Sequence, residues 1–484
     1  MPNVIDAVER LADRCLLPGF AGTTAPDWVR RRVAEGLGGV VLYGRNVESP
    51  EQLAALNAAL HAERPELVIG IDEEGGDVTR LEAGTGSSYP GNLALGFGAD
   101  VEVTRKVAAA MGADLAAAGI DLDLAPDADV NSNPDNPVIG VRSFGSDGAS
   151  VSRHVAAFVA GLQGAGVAAC AKHFPGHGDT SVDSHLALPT VSDDPRVSGA
   201  LAPFAAAIGA GVQAVMTAHL LVPSVDSVPA TLSQRILRGM LRSQLGFEGL
   251  IITDGIEMRA IADGVGIVEG TVEAIAAGCD AICIGGGLHT EADLDLLRAG
   301  IVAAVREGRL ETERLADAAA RVDRLATWRR DQEASPEPAD RAIGLLAAKR
   351  ALALDGDVRV TRDPVVVQFR QASNIAVGMV PWGLAEPLSA RGAAVTAIAI
   401  DSPPVDAGAI LRVAGGRSLV LVVRNLHRHR WQLEAVERLL GARPDAILVE
   451  MGLPVCRPAG AANHLRTHGA SRASGLAAAE VIFP

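Results

Sequence analysis

Asp183 and His185 stand two residues apart in KHFPGHGDTSVDSH, a segment rich in glycine, serine, threonine and aspartate. In an extended loop this spacing places both side chains on one side, so the Asp183 carboxylate can hydrogen-bond the His185 imidazole. A carboxylate partner fixes the imidazole tautomer and favours its protonated form near neutral pH. The pair therefore predicts a general acid–base on a loop that can move. The alternative is an aspartate turn with a histidine nearby by chance.

Asp254 directly ends an apolar run in IITDGIEM. An ionised carboxylate at such a position can act as a nucleophile, a base or a metal ligand. A helix N-cap is the alternative. The immediate end of the apolar run and the close Gly255 favour a chemical role over a cap, and make Asp254 a candidate nucleophile, with a base or a metal ligand still open.

Other polar residues at the ends of apolar runs, or in the loops after them, predict a pocket that binds hydroxyl groups. A buried lysine is costly unless it has a partner, and an arginine offers a rigid set of donors. An aspartate can accept hydrogen bonds from paired hydroxyls. The predicted substrate-binding residues are Asp72, Arg142, Lys172, His173 and His219.

The elements that must position these residues follow a regular order. Short apolar runs alternate with alanine-rich helical patterns, which predicts a (β/α)8 barrel over residues 1–330 with its site at the carboxyl ends of the strands. A doubly wound sheet is the alternative, but no GxGxxG motif follows the first run. The predicted strands lie at 16–20, 38–43, 67–72, 120–126, 169–174, 214–219, 250–254 and 281–286.

A second domain is predicted after the barrel. Residues 331–354 read as an acidic, proline-bearing linker followed by a connecting helix, and 355–484 as a smaller α/β sandwich. Its predicted strands lie at 364–369, 375–380, 394–400, 418–423, 446–451 and 479–484.

Composition excludes several classes of function. The formal net charge of −15 argues against nucleic acid as a partner. Five scattered cysteines predict no disulfide framework. The chain shows no secretory signal and no apolar run that could span a membrane, so we predict a cytoplasmic protein without a membrane partner.

A metal site is the competing chemistry. Lys172, His173, His219 and Asp254 are similar in placement to the ligands of metal-dependent amidohydrolases, but the first predicted strand, LLPGFAGTT, lacks the HxH that those sites need. The sequence therefore predicts no metal.

Five motifs in one order resemble glycoside hydrolase family 3, in its bacterial β-N-acetylglucosaminidase branch. They are IDEEGGDVTRL (71–81), NPDNPVIGVRSFGSD (133–147), AKHFPGHGDTSVDSH (171–185), VMTAHL (215–220) and IITDGIEM (251–258).

The resemblance implies a barrel followed by an αβα sandwich, and a retaining exo-acting β-N-acetylhexosaminidase for cell-wall fragments or chito-oligosaccharides. It implies Asp254 as nucleophile, His185 as acid–base and Asp183 as its partner, with Asp72, Arg142, Lys172 and His173 on the sugar. It also implies a small carbohydrate substrate, no cofactor, and a monomer or homodimer. A phosphorylase, a glycosidase for a related amino sugar and a non-catalytic sugar-binding protein stay open as alternatives.

The chain departs from the family pattern at three places. Asp77 stands where an arginine is frequent, Gly255 where a second aspartate is frequent, and LVP at 221–223 where Tyr-Pro is common. These departures concern the aglycone side rather than the reaction class.

Overall fold

The computed structural model describes residues 4–288, 290–332, 339–360, 363–371 and 377–484. The chain divides into two compact units, and each is described by itself. Unit 1 comprises Met1–Glu73, Thr104–Ile139 and Ser146–Ala339, and unit 2 comprises Glu74–Val103, Gly140–Gly145 and Asp340–Pro484.

The boundary between the units differs from the one that the sequence suggests at residue 330. Glu74–Val103 and Gly140–Gly145, which the sequence places in the barrel domain, belong to unit 2 by their contacts. Arg472, for example, donates to the Ser88 hydroxyl at 2.9 Å. The central part of the predicted linker, 333–338, lies outside the described residues.

Within its described residues, unit 1 contains eight short parallel strands whose residues are all buried, one at each predicted position. The strands are Leu16–Pro18 (β1), Gly39–Leu42 (β2), Val68–Ile71 (β3), Leu122–Asp123 (β4), Ala168–Phe174 (β5), Ala214–Thr217 (β6), Leu250–Ile252 (β7) and Ile282–Ile284 (β8).

These strands pair in chain order. A six-stranded sheet runs from β2 to β7, β1 pairs with β8, and a parallel bridge between Ile252 and Ala281 joins β7 to the start of β8. Parallel neighbours in sequence order with helical crossovers are the arrangement of a (β/α)8 barrel. The predicted fold class is confirmed.

Helices follow the strands and cover the sheet. Ser49 and Asp147 cap two of them by accepting backbone N–H bonds from Gln52 and Ser150 at 3.1 and 2.8 Å. The helices up to residue 331 are Val4–Arg14 (α1), Asp27–Glu35 (α2), Pro50–Glu63 (α3), Asn92–Phe97 (α4), Val101–Ala117 (α5), Gly148–Gly164 (α6), Ala202–Gly209 (α7), Arg259–Ala262 (α8), Ile267–Ala277 (α9), Glu291–Arg306 (α10) and Thr312–Asp331 (α11), with a π-helix at Arg235–Gln244 and 3₁₀ turns at Gly44–Asn46, Gly140–Arg142 and Ala230–Leu232.

Helix α11 closes the amino end of the barrel. Its Val322, Leu325 and Ala326 belong to the same buried cluster as inward-facing strand residues. Two arginines of α11 form ion pairs with aspartates that precede strands. Arg314 lies 2.6 Å from Asp280, before β8, and Arg329 lies 3.5 Å from Asp121, before β4. This closure leaves the carboxyl ends of the strands as the open mouth.

Unit 2 is built on a mixed sheet in the order β11-β10-β12-β13-β14-β9, with β9 antiparallel to β14. The strands of this unit, in the part that the structure describes, are Ala353–Asp355 (β9), Val365–Phe369 (β10), Thr396–Ile400 (β11), Leu419–Val423 (β12), Ile447–Glu450 (β13) and Asn463–Arg466 (β14). The helices are Ala342–Arg350 (α12), Ala385–Ala390 (α13), Ala407–Ala414 (α14), Arg430–Ala442 (α15) and Arg472–Ile482 (α16), with a 3₁₀ turn at Leu426–Arg428.

The side chains of this sheet alternate between two cores, as the period of a strand requires. Val367 and Leu421 pack in one cluster with Ile410 and Leu439 from α14 and α15. Their strand neighbours, such as Val422, pack in a second cluster that includes residues of α13 and α16. Helices on both faces make the predicted αβα sandwich.

The sequence misassigns part of this unit. The predicted strand at 479–484 is wrong, because Ser471 caps a helix by accepting from the Ser474 N–H at 3.0 Å and the alanine-rich segment continues helical to Ile482. The polar strand β14 escaped prediction. For the predicted strand at 375–380, residues 375 and 376 lie outside the described residues, and 377–380 form a turn.

No helix among the described residues has the length and apolar character that a membrane crossing requires.

We expect Asp280→Ala to lower the free energy of unfolding by about 3 kcal/mol, because it removes the buried carboxylate that pairs with both Arg242 and Arg314. Asp280 is fully buried, and its carboxylate binds Arg242 at 2.5 Å, Arg314 at 2.6 Å and the Ile251 N–H at 2.8 Å. Urea titration measures the change. Asp317→Ala is the control: it removes a partner of Arg314 that is 45% exposed and should cost less than about 1 kcal/mol. Equal losses would contradict the role given to Asp280.

Candidate active site

Asp254 lies two residues beyond β7, at the mouth of the barrel, and is partly exposed. Its Oδ1 accepts a hydrogen bond from the Gly255 N–H at 2.8 Å. Burial opposes ionisation of this carboxyl, but nearby imidazoles, led by His173, lower its pKa to about 2. Asp254 is therefore an anion at neutral pH, which is the state that a nucleophile needs.

His219 follows β6 and supports the residue after Asp254. Its Nε2 lies 3.0 Å from the Gly255 carbonyl oxygen and its Nδ1 lies 2.7 Å from the Thr231 hydroxyl. Because a carbonyl oxygen only accepts, Nε2 carries a proton, and burial lowers the pKa of the ring. Both nitrogens are bonded to protein, so the geometry favours a supporting role for His219 over the predicted contact with substrate.

Lys172 and Asp72 form an ion pair between the ends of β5 and β3. The Lys172 Nζ lies 2.6 Å from the Asp72 Oδ1; the lysine is buried and the aspartate partly exposed. The pair gives the buried ammonium the partner that its burial requires. It also presents an ammonium and a carboxylate together, an arrangement that suits neighbouring hydroxyl groups of a sugar.

His173 is held by a residue that the sequence analysis did not single out, Asp129 after β4. The His173 Nδ1 lies 2.7 Å from the Asp129 Oδ2, and the His177 N–H donates to the Asp129 Oδ1 at 2.6 Å. Burial would raise the pKa of Asp129, but the charge and hydrogen bond of His173 outweigh it and lower the pKa. The strand-end rule that found Asp72 also applies to Asp129, so the sequence carried a signal for it.

Asp183 and His185 make the contact that their spacing suggests. The His185 Nδ1 lies 2.7 Å from the Asp183 Oδ1, which also accepts the His185 N–H at 2.9 Å. Burial opposes ionisation of Asp183, but the hydrogen bonds and charge of His185 lower its pKa. An ionised Asp183 at Nδ1 directs proton transfer to Nε2, the other ring nitrogen.

Arg142 lies in unit 2, in the turn Gly140–Arg142. Its guanidinium makes a two-point contact with the buried Glu74, with Nε at 2.9 Å from Oε2 and Nη2 at 2.7 Å from Oε1. The sequence predicts Arg142 as a substrate ligand; the structure shows how Glu74, a residue that the sequence analysis did not select, orients it.

Two further carboxyl groups at the mouth have raised pKa values, in contrast to Asp254. Asp123, the last residue of β4, is fully buried, and burial raises its pKa well above the aspartate value. Burial likewise raises the pKa of Glu257, whose Oε2 accepts the Gly285 N–H at 3.1 Å. Pairs of carboxyl groups with separated pKa values are a mark of sites that perform acid–base or nucleophilic chemistry.

Asp127, Asp129 and His173 offer one ligand atom each within 4.8 Å of one another, a spacing compatible with a metal ion. Some of their atoms serve hydrogen bonds within the protein: the His173 Nδ1 lies 2.7 Å from the Asp129 Oδ2, and the Asp127 Oδ1 accepts the Asp129 backbone N–H at 3.0 Å. The protein contacts explain the cluster as a hydrogen-bonded support for His173.

Comparison with known proteins identifies the family. Residues 25–325 match the model of the glycosyl hydrolase family 3 N terminal domain. The chain belongs to glycosyl hydrolase family 3.

Relatives cover both units. The chain is 34% identical over 378 residues to beta-hexosaminidase A of Pseudoalteromonas piscicida, an alignment that covers 72% of this chain and 63% of that protein. It is 36% identical over 344 residues to a beta-hexosaminidase of Alkalilimnicola ehrlichii, covering 66% of this chain and 97% of the relative. The solved family 3 beta-N-acetylglucosaminidase of Paenibacillus sp. str. FPU-7 matches with a TM-score of 0.89 and 33% identity, over 98% of this chain and 96% of that one. The chain thus spans less than two thirds of the length of the first of these relatives.

The family 3 departure at Asp77 has a structural partner within unit 2. The Asp77 Oδ2 lies 2.5 Å from Arg424 Nη2, and Oδ1 accepts the Ala470 N–H at 3.2 Å. Arg80, three residues further along the chain, donates to the Val377 carbonyl oxygen at 3.4 Å. The acidic residue is therefore part of an ion pair with a residue of the sandwich.

The predicted residues of unit 1 converge at one mouth. The imidazoles of His173, His185 and His219 all act on the charge of Asp254. The residues that sequence reasoning missed hold these groups in place. His177 was in the quoted signature, whereas Thr231, on a turn twelve residues after His219, gave no signal in the sequence.

The free energy of unfolding of Asp123→Asn, measured relative to the wild-type protein, should increase as the pH rises. An aspartate with a raised folded pKa binds more protons folded than unfolded, so the wild-type protein loses stability above about pH 4, up to the folded pKa. The variant side chain cannot ionise and keeps an oxygen for the Glu73 N–H. Each pH unit in that window is worth up to about 1.4 kcal/mol. Urea unfolding of both proteins at about pH 4.5 and about pH 8 measures the difference in their free energies of unfolding. A difference that is the same at both pH values would contradict the raised pKa of Asp123.

Proposed function

We propose that this family 3 protein is a retaining exo-β-N-acetylglucosaminidase, a β-N-acetylhexosaminidase that releases terminal β-linked N-acetylglucosamine from cell-wall fragments or chito-oligosaccharides. The single observation that carries the proposal is the combination of an ionised Asp254 with an imidazole held by Asp183. The names of the relatives, beta-hexosaminidase and beta-N-acetylglucosaminidase, support the sugar class.

The proposed reaction proceeds in two displacements. His185 donates its Nε2 proton to the glycosidic oxygen while the Asp254 carboxylate attacks the anomeric carbon, so that the aglycone leaves as an alcohol and a glycosyl ester forms. His185 then removes a proton from water, whose oxygen attacks the same carbon and frees Asp254. Two inversions retain the anomeric configuration.

The proposed substrate ligands are supported by their contacts. The Asp72 and Lys172 pair is suited to adjacent hydroxyls, and His173, oriented by Asp129, to a further hydroxyl. Arg142 is proposed for the N-acetyl group or a hydroxyl. His219 is proposed to act through Gly255, which keeps Asp254 in position.

We propose a cytoplasmic location and a small carbohydrate as the partner, with a monomer or homodimer as the working form. The five cysteines are free thiols, which supports a reducing compartment. Cell fractionation and sedimentation test these two points.

Asp254→Ala should abolish cleavage of 4-nitrophenyl N-acetyl-β-glucosaminide and of the β-1,4 disaccharide of N-acetylglucosamine, because no nucleophile remains. His185→Ala should lose about 100-fold or more in kcat/KM on the disaccharide but much less on the nitrophenyl substrate, whose leaving group needs no proton. Initial rates with and without phosphate give both comparisons and detect phosphorolysis. Equal losses on the two substrates would argue against His185 as the acid, and a wild-type protein inactive on both would remove the proposed function.

For the nitrophenyl substrate, kcat/KM should show no acid limb between pH 7 and pH 5. The pKa of Asp254 is lowered to about 2, so the carboxylate stays ionised throughout this range, and the acid form of His185 is not required for a good leaving group. A pH series of initial rates measures this. An acid limb with an apparent pKa of 5 or higher would contradict the ionised nucleophile.

A further inference from the structure

The acid–base pair lies on a loop that must be held in place. Asp183 and His185 belong to the segment between β5 and α7, which contains three glycines from Gly176 to Gly199. Exposed side chains flank the pair, with Leu186 57% exposed and Val182 39% exposed. Proton transfer is sensitive to placement, since an error of about 1 Å costs up to about 100-fold in rate.

One buried imidazole contacts this loop at two points. His177 is 2% exposed; its Nδ1 lies 2.7 Å from the Thr180 hydroxyl and its Nε2 lies 3.2 Å from the Ser184 hydroxyl. Ser184 is the residue between Asp183 and His185. The proposed reaction leaves His177 without a part in the chemistry, although it is the most buried histidine of the segment.

The surrounding bonds define the direction of these contacts. Thr180 donates to the His177 carbonyl at 3.0 Å, and Asn136 donates to the same carbonyl at 2.8 Å. With the Thr180 proton used in this way, the His177 Nδ1 donates to the Thr180 oxygen, and Nε2 accepts from the Ser184 hydroxyl. Burial lowers the pKa of His177 to about 4, so the neutral ring that this pattern requires is the form present near neutral pH.

Both ends of this connection are fixed. The backbone N–H of His177 donates to the Asp129 Oδ1 at 2.6 Å, which ties this residue to the carboxylate that also holds His173. On the other side, the Ser184 carbonyl accepts the Ala260 N–H at 3.4 Å, from the helix that follows Asp254. Ser184 is therefore attached through its side chain to the β5 side of the mouth and through its backbone to the β7 side.

We propose that His177 and Ser184 are positioning residues, a latch whose hydrogen bond sets where the Asp183–His185 pair presents its proton. The proposal rests on the proposed function, because it deepens the role of the same loop. The latch touches neither substrate nor reacting atoms; it acts through the segment Asp183–His185. Its loss affects the step that needs an acid and leaves the ionised Asp254 intact.

Two substitutions of His177 distinguish the hydrogen bond to Ser184 from the packing of the side chain. His177→Gln places an amide at about the position of Nε2 and retains a partner for Ser184, whereas His177→Asn places it near Nδ1 and retains only the Thr180 contact. Ser184→Ala removes the hydroxyl from the other side, and Ser184→Thr keeps it. Thermal melting verifies that each purified variant is folded.

We expect His177→Asn and Ser184→Ala to lose about 10- to 100-fold in kcat/KM on the β-1,4 disaccharide and less than about threefold on the 4-nitrophenyl substrate. The double variant should lose no more than the worse single one, because both remove one interaction. His177→Gln and Ser184→Thr should restore most of the disaccharide rate. If His177→Asn does not fold, the Ser184 pair decides the question.

The proposal is contradicted if Ser184→Ala leaves the ratio of kcat/KM on the disaccharide to kcat/KM on the 4-nitrophenyl substrate unchanged. It is also contradicted if the losses of His177→Asn and Ser184→Ala add in the variant that carries both. Those outcomes differ from failure of the proposed function, in which the wild-type protein cleaves neither substrate.

Discussion

The mouth of the barrel depends on one buried anion, the carboxylate of Asp129. It lies 2.7 Å from the His173 Nδ1 and accepts the His177 N–H at 2.6 Å, so a residue after β4 holds both the end of β5 and the first turn of the loop beyond it. A buried charge is tolerated only when its partners are complete, and removal of one partner is far more costly than loss of a surface pair. The consequence is that His173, proposed to face the sugar, and His177, which supports the acid–base loop, both depend on this carboxylate: it pairs with the His173 imidazole and accepts the backbone N–H of His177.

The same mouth separates carboxyl groups by environment rather than by residue type. Asp254 stays ionised because imidazoles outweigh the effect of its burial, whereas burial dominates for Asp123 and raises its pKa. A nucleophile needs the anion, whereas burial of a carboxyl group without such partners favours its protonated form. The Lys172–Asp72 pair contributes no net charge of its own. The groups that lower the pKa of Asp254 are instead the nearby imidazoles, led by His173.

The sequence predicted the eight barrel strands and their polar ends because buried parallel strands read as apolar runs, and parallel strands all bring their carboxyl ends to one mouth. It also predicted the Asp183–His185 contact, which depends only on local spacing. The supporting contacts were not accessible in this way. Thr231 reaches His219 from a turn that no periodicity marks, and Glu74 reaches Arg142 across 68 residues.

In the sandwich, two elements were missed or misread. Strand β14 is polar and short, and its pairing with β13 and β9 decides its conformation. The end of helix α16 was predicted as a strand from residue 479 because its last turn contains the apolar, β-branched residues Val481 and Ile482. The residue that caps this helix, Ser471, lies eight positions before the predicted strand.

The departure at Gly255 follows from the contacts on either side of it. Its N–H donates to Asp254 and its carbonyl accepts from His219, so the backbone of this residue is used on both sides. A Cβ at this position would lie 3.3 Å from the Glu257 Oε1, which is tighter than ordinary packing. An aspartate there would bring a second carboxylate toward one whose pKa burial already raises. Glu257 in turn accepts the Gly285 N–H after β8. Glycine at 255 thus leaves room for the Glu257 carboxyl group, which lies three residues beyond Asp254 and accepts a hydrogen bond from the residue that follows β8.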